Sequence, residues 1–433
     1  NVRLKAALTI SRIQNPEDEE CPVINDYLPI LDFDTNANVR RVVCMNICIT
    51  RKSLPLVLKR IYDTKSTVRA TIYERLFKSV PVKVLKIEER ISIINAGILE
   101  KESTAKICFK NLLIDAWVKQ ACAGCLITFI QLFDAEEDRD FLYKTLNYIF
   151  NNLEYDNLTT TFDTIESWCH TSNKTLLESH NDLEHLIVWC ACLKFLMSNS
   201  TPSPSQYKRL VPEIVQIVTL IQQYSGKRKV KKNSDNIDES YNHILIELFS
   251  VLRIFELNDE AGRQKALDLS FNILSAPTRV SVRVIQEIIR TYSYYATSQT
   301  KVFDAIVEVI SEIRQPINSI DPIVEDKFEP VTEEVSDGSE NADTILTCLS
   351  IVCEILLVRK VDLMCPSAVT LMNTFIVNLV YDIRSSVRKE AIRCVSLYCT
   401  CASYYAEKYL VLLFQIINID AQDIKNIALS AIF

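Results

Sequence analysis

Apolar residues recur along the chain at intervals of three and four, and short polar clusters interrupt them. Tyr27, Leu28, Leu31 and Phe33 form the apolar stripe of one predicted helix. Val39, Val43, Cys44, Ile47 and Cys48 form the inward face of the next. Between them stands Asp34 followed by TNAN, short polar side chains that bond to backbone and turn the chain. The arrangement then repeats. Leu54, Val57, Leu58 and Ile61 precede Asp63-TKST, and Val68, Ile72 and Leu76 follow it. Farther on, amphipathic or apolar helical stretches are expected over 176–197, 207–224, 241–257, 266–274, 282–295 and 302–313.

The turns share a pattern: an acid, four residues, then Val-Arg opening a helix. It occurs at Asp34 with Val39-Arg40, at Asp63 with Val68-Arg69 and at Asp382 with Val387-Arg388. Glu100 with Ala105-Lys106 is a degenerate copy. Val2-Arg3 opens the chain in the same way, and Ile424-Lys425 nearly closes it. Successive helix starts lie 37, 29 and 37 residues apart in the N-terminal part, and 37 apart at the far end. One helix–turn–helix unit fits each period, near the HEAT range. A single helical pair cannot bury both its faces, so pairs stack, and the expected fold is an all-α HEAT-repeat solenoid. The acid before each turn and the Arg after each Val are expected to form a ladder between neighbouring repeats, with ligand contact as the alternative role of each Arg.

Composition agrees. Only five glycines occur in 433 residues, at no spacing that makes a dinucleotide loop or P-loop, and too few for the tight turns of a β-rich fold. The 15 cysteines sit mostly in apolar helical runs, where free Cys acts as a small buried hydrophobe, and this usage reads as a reducing, intracellular compartment. No apolar run approaches the roughly 18 residues of a membrane span. The first residue already lies in a helical pattern, so the chain is expected to begin inside a longer protein. Two charged segments break the pattern: Gly226-KRKVKK, within a basic loop over 226–240, and the acidic 325–343, with eight acids against Lys327. The expected organisation is an N-terminal arm 1–324, a linker 325–343 and a C-terminal arm 344–433.

Catalytic and metal chemistry finds little support. Cys122 and Cys125 form a CxxC with no second pair, and they are expected to pack inside a helix. His170, His180 and His185 cluster near Cys169, but the last two are five apart, off the spacing of a helical metal site. With His243 the only other histidine, no catalytic site, metal or cofactor is assigned.

The sequence resembles the CAP-G family, the non-SMC HEAT-repeat components of condensin. The likeness is carried by VRLKAALTISRIQNPEDEECPVI (2–24), DTNANVRRVV (34–43) and VRATIYERL (68–76). It continues in ELNDEAGRQKAL (256–267), DAIVEVISEIR (304–314), DIRSSVRKEAIRCVSLYC (382–399) and KYLVLLFQIINID (408–420). The resemblance implies a non-enzymatic HEAT protein that binds the kleisin CAP-H and, with it, double-stranded DNA. The SMC ATPase subunits would be reached through the kleisin. It also implies a nuclear place on mitotic chromosomes, with a cytoplasmic fraction, and no small-molecule substrate.

Charge adds a residue-level expectation. Between Val39 and Lys86 there are twelve bases and two acids, in a chain of net charge −7. A window of one sign in an acidic protein suits a polyanion, whose neutralised phosphates release counterions. The expected backbone contacts are Arg40, Arg41, Lys59, Arg60, Lys65, Arg69, Lys83 and Lys86, with a second wall at Arg388, Lys389 and Arg393. Lys83, Lys86 and Arg90 are expected to share one helical stripe. Thr201 and Ser203, each before a proline in TPSPS, are expected phosphorylation sites. The competing reading is a peptide-binding HEAT adaptor, of the nuclear-transport or phosphatase-scaffold kind, with no DNA role.

Overall fold

The computed structural model describes residues 2–15, 17, 18, 21–153, 161, 163, 182–198, 213–227, 239–255, 259–276, 281–296, 298–314, 342–357 and 362–432. Among these residues there are helices and turns and no strand. None of their helices is long and apolar enough to cross a membrane. Contacts separate two compact units, Asn1–Val211 and Pro212–Phe433.

The described helices of the first unit are α1 (Val2–Ile10), α2 (Pro22–Phe33), α3 (Ala37–Asn46), α4 (Ser53–Lys59), α5 (Ser66–Ser79), α6 (Ile87–Ile98), α7 (Ser103–Lys110), α8 (Leu126–Ile130), α9 (Arg139–Asn152) and α10 (Asp182–Ser198). Helices α1, α3, α5 and α7 stack side by side as one row. Helices α2 and α4, the 3-10 turn Arg60–Tyr62 and α6 form the other. Each pair is thus an antiparallel hairpin whose second helix lies in the first row. The starts follow local chemistry. Pro22 occupies the first turn of α2, where its missing N–H costs nothing. Asn36 caps α3, its Oδ1 accepting the Asn38 N–H at 2.9 Å. Val39, Val43 and Cys44 of α3 and Val68, Ile72, Tyr73 and Leu76 of α5 are buried between rows. Phe33 departs from the expected stripe: it is 80% exposed at the end of α2.

Helix α7 runs on as a π-helix through Asn111–Ala121 and buries Leu112, Leu113, Ile114, Trp117 and Val118. The CxxC follows it as a turn, not as part of a helix. Ala123 (φ 52°) and Gly124 (φ 76°) are left-handed, and the Cys125 N–H closes the turn on Cys122 O at 2.9 Å. Cys122 is buried, and Cys125 is exposed at the start of α8. Phe109 packs between Tyr73 and Tyr148, with ring centroids 5.4 Å from each.

The second unit contains α11 (Ile214–Lys227), α12 (Glu239–Leu252), α13 (Glu260–Leu274), α14 (Val282–Tyr295), α15 (Gln299–Arg314), α16 (Ala342–Leu357), α17 (Pro366–Leu371, continuing helically to Leu379), α18 (Ser385–Cys401), α19 (Ser403–Ile419) and α20 (Gln422–Ile432). One row runs α12, α14, α16, α18, α20, and the other runs α11, α13, α15, α17. Helix α16 packs on α14 and α15, so the chain on both sides of the expected 325–343 linker shares a core. The division expected between 1–324 and 344–433 therefore falls inside this unit. Apart from Ala342 and Asp343, that linker lies outside the described residues, as do 228–238 of the basic loop, Thr201 and Ser203.

Candidate functional site

The turn acids and the Val-Arg arginines meet across neighbouring repeats. Arg40 places Nε and Nη2 on the two Asp63 carboxylate oxygens, both at 2.8 Å, while its Nη1 holds Asp34 O at 2.7 Å. Arg69 grips Glu100 at 2.6 and 2.7 Å and reaches back to Asp63 O at 2.7 Å. In the second unit Arg388 grips Asp420 at 3.2 and 3.0 Å and Asp382 O at 3.0 Å. Arg3 meets Asp34 at 2.9 Å. Arg40, Arg69 and Arg388 thus each join the backbone of their own turn to the carboxylate of the next. A planar fork suits this double grip, and a point charge does not.

Each acid also accepts N–H groups from its own turn: Asn36 on Asp34, Lys65 on Asp63, Glu102 on Glu100 and Ala421 on Asp420. The Arg69 bond holds Glu100 below its ordinary pKa, and Arg388 does the same to Asp420. Arg384 brings Asp382 down to about 2. Burial pushes Asp63 up, but Arg40, the Lys65 N–H and Arg60 together leave it lowered.

A pH dependence follows. Carboxylates depressed by folding stabilise the fold above the unfolded pKa of roughly 4, and that support is lost as pH falls through the folded values. Amide protection factors in α5 and α18, referred to the intrinsic exchange rate at each pH, should therefore fall progressively between about pH 4 and pH 2. Protection that stays flat across this window would contradict the ladder's energetic role.

The ladder sorts the expected DNA contacts. Arg40 is buried, and Arg69 and Arg388 are engaged as described. Arg60 sits on Asp32 at 2.8 Å, and Lys59 shares that carboxylate at 3.2 Å with most of its side chain in water. Arg393 reaches Glu390 at 3.3 Å and Glu354 at 3.8 Å. Arg41, Lys65, Lys83, Lys86 and Lys389 keep contact with solvent, and among the described residues no acid pairs with them. Arg41 Nε meets only the Thr71 hydroxyl, at 3.3 Å.

The stripe expected of Lys83, Lys86 and Arg90 does not form. Lys83 lies on the 3-10 turn Val82–Val84, and Lys86 precedes α6. Arg90 turns inward, donating to Val82 O at 3.0 Å and to Leu132 O. Arg75 is likewise spent on carbonyls at the end of α3, Met45 O and Ile47 O. Three further bases of the window, Arg51, Lys52 and Lys78, are exposed but are not among the expected contacts.

These bases divide between two edges. Lys65 stands on a turn inside a repeat, at the start of α5, with Lys59 nearby at the end of α4. Arg51, Lys78, Lys83 and Lys86 stand on connections between repeats, where α3 and α5 end. Helix α5 has 14 residues, so Lys65 and Lys78 are separated by about 20 Å along it. Helix C-termini attract cations through their exposed carbonyls. That draws Lys78 to its place but leaves its charge in solvent. Among the described residues no group of three or more His, Cys, Asp and Glu could hold a metal ion.

Residues 347–433 match the family model "Nuclear condensing complex subunits, C-term domain". Condensin complex subunit 3 of Homo sapiens is 24% identical across all of this chain, which covers 48% of that relative. The Schizosaccharomyces pombe protein of the same name is 25% identical over 72% of this chain and 34% of its own length. The chain thus spans less than half the length of these relatives. The crystal structure of the S. pombe condensin Cnd3-Cnd2 subcomplex shares the fold, with a TM-score of 0.78 and 21% identity over all of this chain and 54% of that one. The helix-pair repeats are HEAT repeats, and by sequence along its whole length the chain is a homologue of condensin complex subunit 3.

Proposed function

We propose that this chain is the HEAT-repeat scaffold of a condensin complex. It binds a kleisin subunit and, with it, the backbone of double-stranded DNA without sequence preference, and it takes part in mitotic chromosome condensation. The kleisin partner is suggested by the solved relative, which is a Cnd3-Cnd2 subcomplex. The SMC ATPases connect through that kleisin. The chain acts without catalysis of its own.

The DNA part rests on one observation. After the ladder and the buried carbonyls have taken Arg40, Arg60, Arg69, Arg75 and Arg90, solvent-facing bases without an acidic partner remain on the first unit. Arg51, Lys78, Lys83 and Lys86 share the inter-repeat edge, and they are the favoured phosphate contacts. Arg41 and Lys65 are further contacts, and Lys389 is the weaker second wall, Arg393 being already held by Glu390 and Glu354.

The test is a titration of duplex DNA against the chain with its kleisin at several salt concentrations. Reversing Lys78, Lys83 and Lys86 to Glu should weaken all duplex sequences alike. It should also flatten the log–log salt slope by roughly 2–3, at about 0.9 per phosphate contact. A folded variant that keeps the kleisin with unchanged DNA affinity and slope would defeat the assignment. If the unmodified complex bound no DNA at all, a peptide-binding adaptor would be the better description.

A further inference from the structure

The CxxC after the π-helix is a tight turn that joins a buried thiol to an exposed one. The Cys125 N–H closes on Cys122 O at 2.9 Å, and Ala123 and Gly124 between them are both left-handed. A hydrogen-bonded four-residue turn brings its first and last Cα atoms within about 7 Å. A disulfide spans about 4.4–6.8 Å between Cα atoms. The turn is anchored on the end of the π-helix: the Cys122 N–H donates to Trp117 O at 3.1 Å, and the Gly124 N–H donates to Val118 O at 2.9 Å. Its other side is open, since a Cβ added to Gly124 would meet no heavy atom within 4 Å.

The two thiols are chemically unlike. Cys122 is buried and Cys125 is exposed. Burial and the neighbouring Cys125 push the Cys122 thiol up, while Lys83 draws it down. Burial pushes Cys125 up as well, but the Thr128 side chain and the N–H groups of Thr128 and Ile127 leave it lowered. The thiolate is the reacting form, so access and charge both make Cys125 the attacking sulfur and Cys122 the resolving one.

We propose that Cys122 and Cys125 form a thiol–disulfide exchange site for low-molecular-weight disulfides of the glutathione class. Cys125 Sγ, as the thiolate, attacks one sulfur of glutathione disulfide. A Cys125–glutathione bond forms, the glutathione S–S bond breaks, and one glutathione thiolate leaves and takes up the proton that Cys125 released. Cys122 then gives up its proton and attacks Cys125 Sγ, and the second glutathione thiolate leaves and takes up that proton. Two protein thiols are oxidised and one glutathione disulfide is reduced to two thiols, a balanced two-electron exchange. A disulfide gains stability with the length of the loop it closes, and this loop is only four residues long. The bond is therefore readily reduced again, as an exposed and weakly stabilised disulfide is.

The same chain supplies two controls. Cys353 and Cys394 approach to 3.2 Å between α16 and α18, but both are buried. Cys401 is the other exposed cysteine among the described residues, and its neighbour Cys399 is buried and directed to Tyr405 O at 3.5 Å. Proximity without access and access without a partner thus stand beside the pair that has both. The site does not depend on the DNA reading, so the two can fail independently.

The experiment exposes the whole folded chain to glutathione disulfide, alkylates the remaining thiols and maps the products by non-reducing mass spectrometry. A Cys122–Cys125 disulfide should form at least tenfold faster than any Cys353–Cys394 bond, and a dithiol reductant should reverse it. In Cys122→Ala, with helix content unchanged, glutathione should stay attached to Cys125. In Cys125→Ser, Cys122 should stay unmodified. On the unmodified chain alone, glutathione that remains on Cys125, or a Cys353–Cys394 bond that forms first, would overturn the proposal. So would a Cys122 that takes up glutathione as readily in Cys125→Ser as Cys125 does in Cys122→Ala.

Discussion

Asp63→Ala lowers the stability of the first unit by about 3–5 kcal/mol, the usual cost of removing one partner from a buried ion pair. The carboxylate accepts two bonds from Arg40 and one from the Lys65 N–H, and Arg60 stands 3.7 Å away. Asp63 and Arg40 are both buried. Removing the acid strands a guanidinium that still holds Asp34 O but has lost its counter-charge. Urea unfolding followed by hydrogen exchange in α3 and α5 reads the loss locally, which suits a solenoid whose repeats open separately. Adding Arg40→Met should recover a large part of the loss, because an apolar side chain of similar length leaves no unpaired charge. A single-variant effect below about 0.5 kcal/mol, the range of ordinary surface substitutions, would show that the rung is ornamental.

Gly97→Ala should destabilise the same unit by about 2–3 kcal/mol or more, as overpacking of a close contact does. A Cβ at Gly97 would lie 2.1 Å from Cδ2 and 2.3 Å from Cγ of Phe109. Phe109 is fully buried and flanked by Tyr73 and Tyr148, so its ring has nowhere to retreat. The alternative is for α6 to move off α7. Phe109→Leu alone should cost stability through lost ring contacts, yet it should suppress part of the Gly97→Ala defect by making room. Additive effects in the double variant would place the strain elsewhere.

The ladder is readable in the sequence, because an acid and an arginine at fixed distances from a turn leave few places for either charge. Val39, Val43, Val68 and Ile72 are readable for a similar reason: their period faces one side of a helix. Phe33 escapes that logic, since periodicity cannot tell whether the last turn of a helix still meets its neighbour, and α2 ends with that ring in water. The basic window is legible as a charge excess but not as a site. Arg75 and Arg90 look in sequence like Lys78 and Lys83, and only the fold shows that two of them satisfy carbonyls at chain reversals. The CxxC turn is hidden for a related reason. A left-handed Ala123 has no signature of its own, although Gly124 beside it offers a hint.

The double grip of the ladder arginines also has a mechanical meaning. A guanidinium held by a carbonyl on one repeat and both oxygens of a carboxylate on the next resists sliding and rotation alike. From Arg3 to Glu100 the rungs are consecutive, so this stretch behaves as a torsionally stiff rod, and its turns keep their phase under load. Between α7 and α9 the rings of Phe109 and Tyr148 pack against each other, and such surfaces tolerate small rotations at little cost. Pulled or wrapped by a polymer, the first unit would flex beyond residue 103 before it flexed ahead of it, and single-molecule stretching would find the compliant element there.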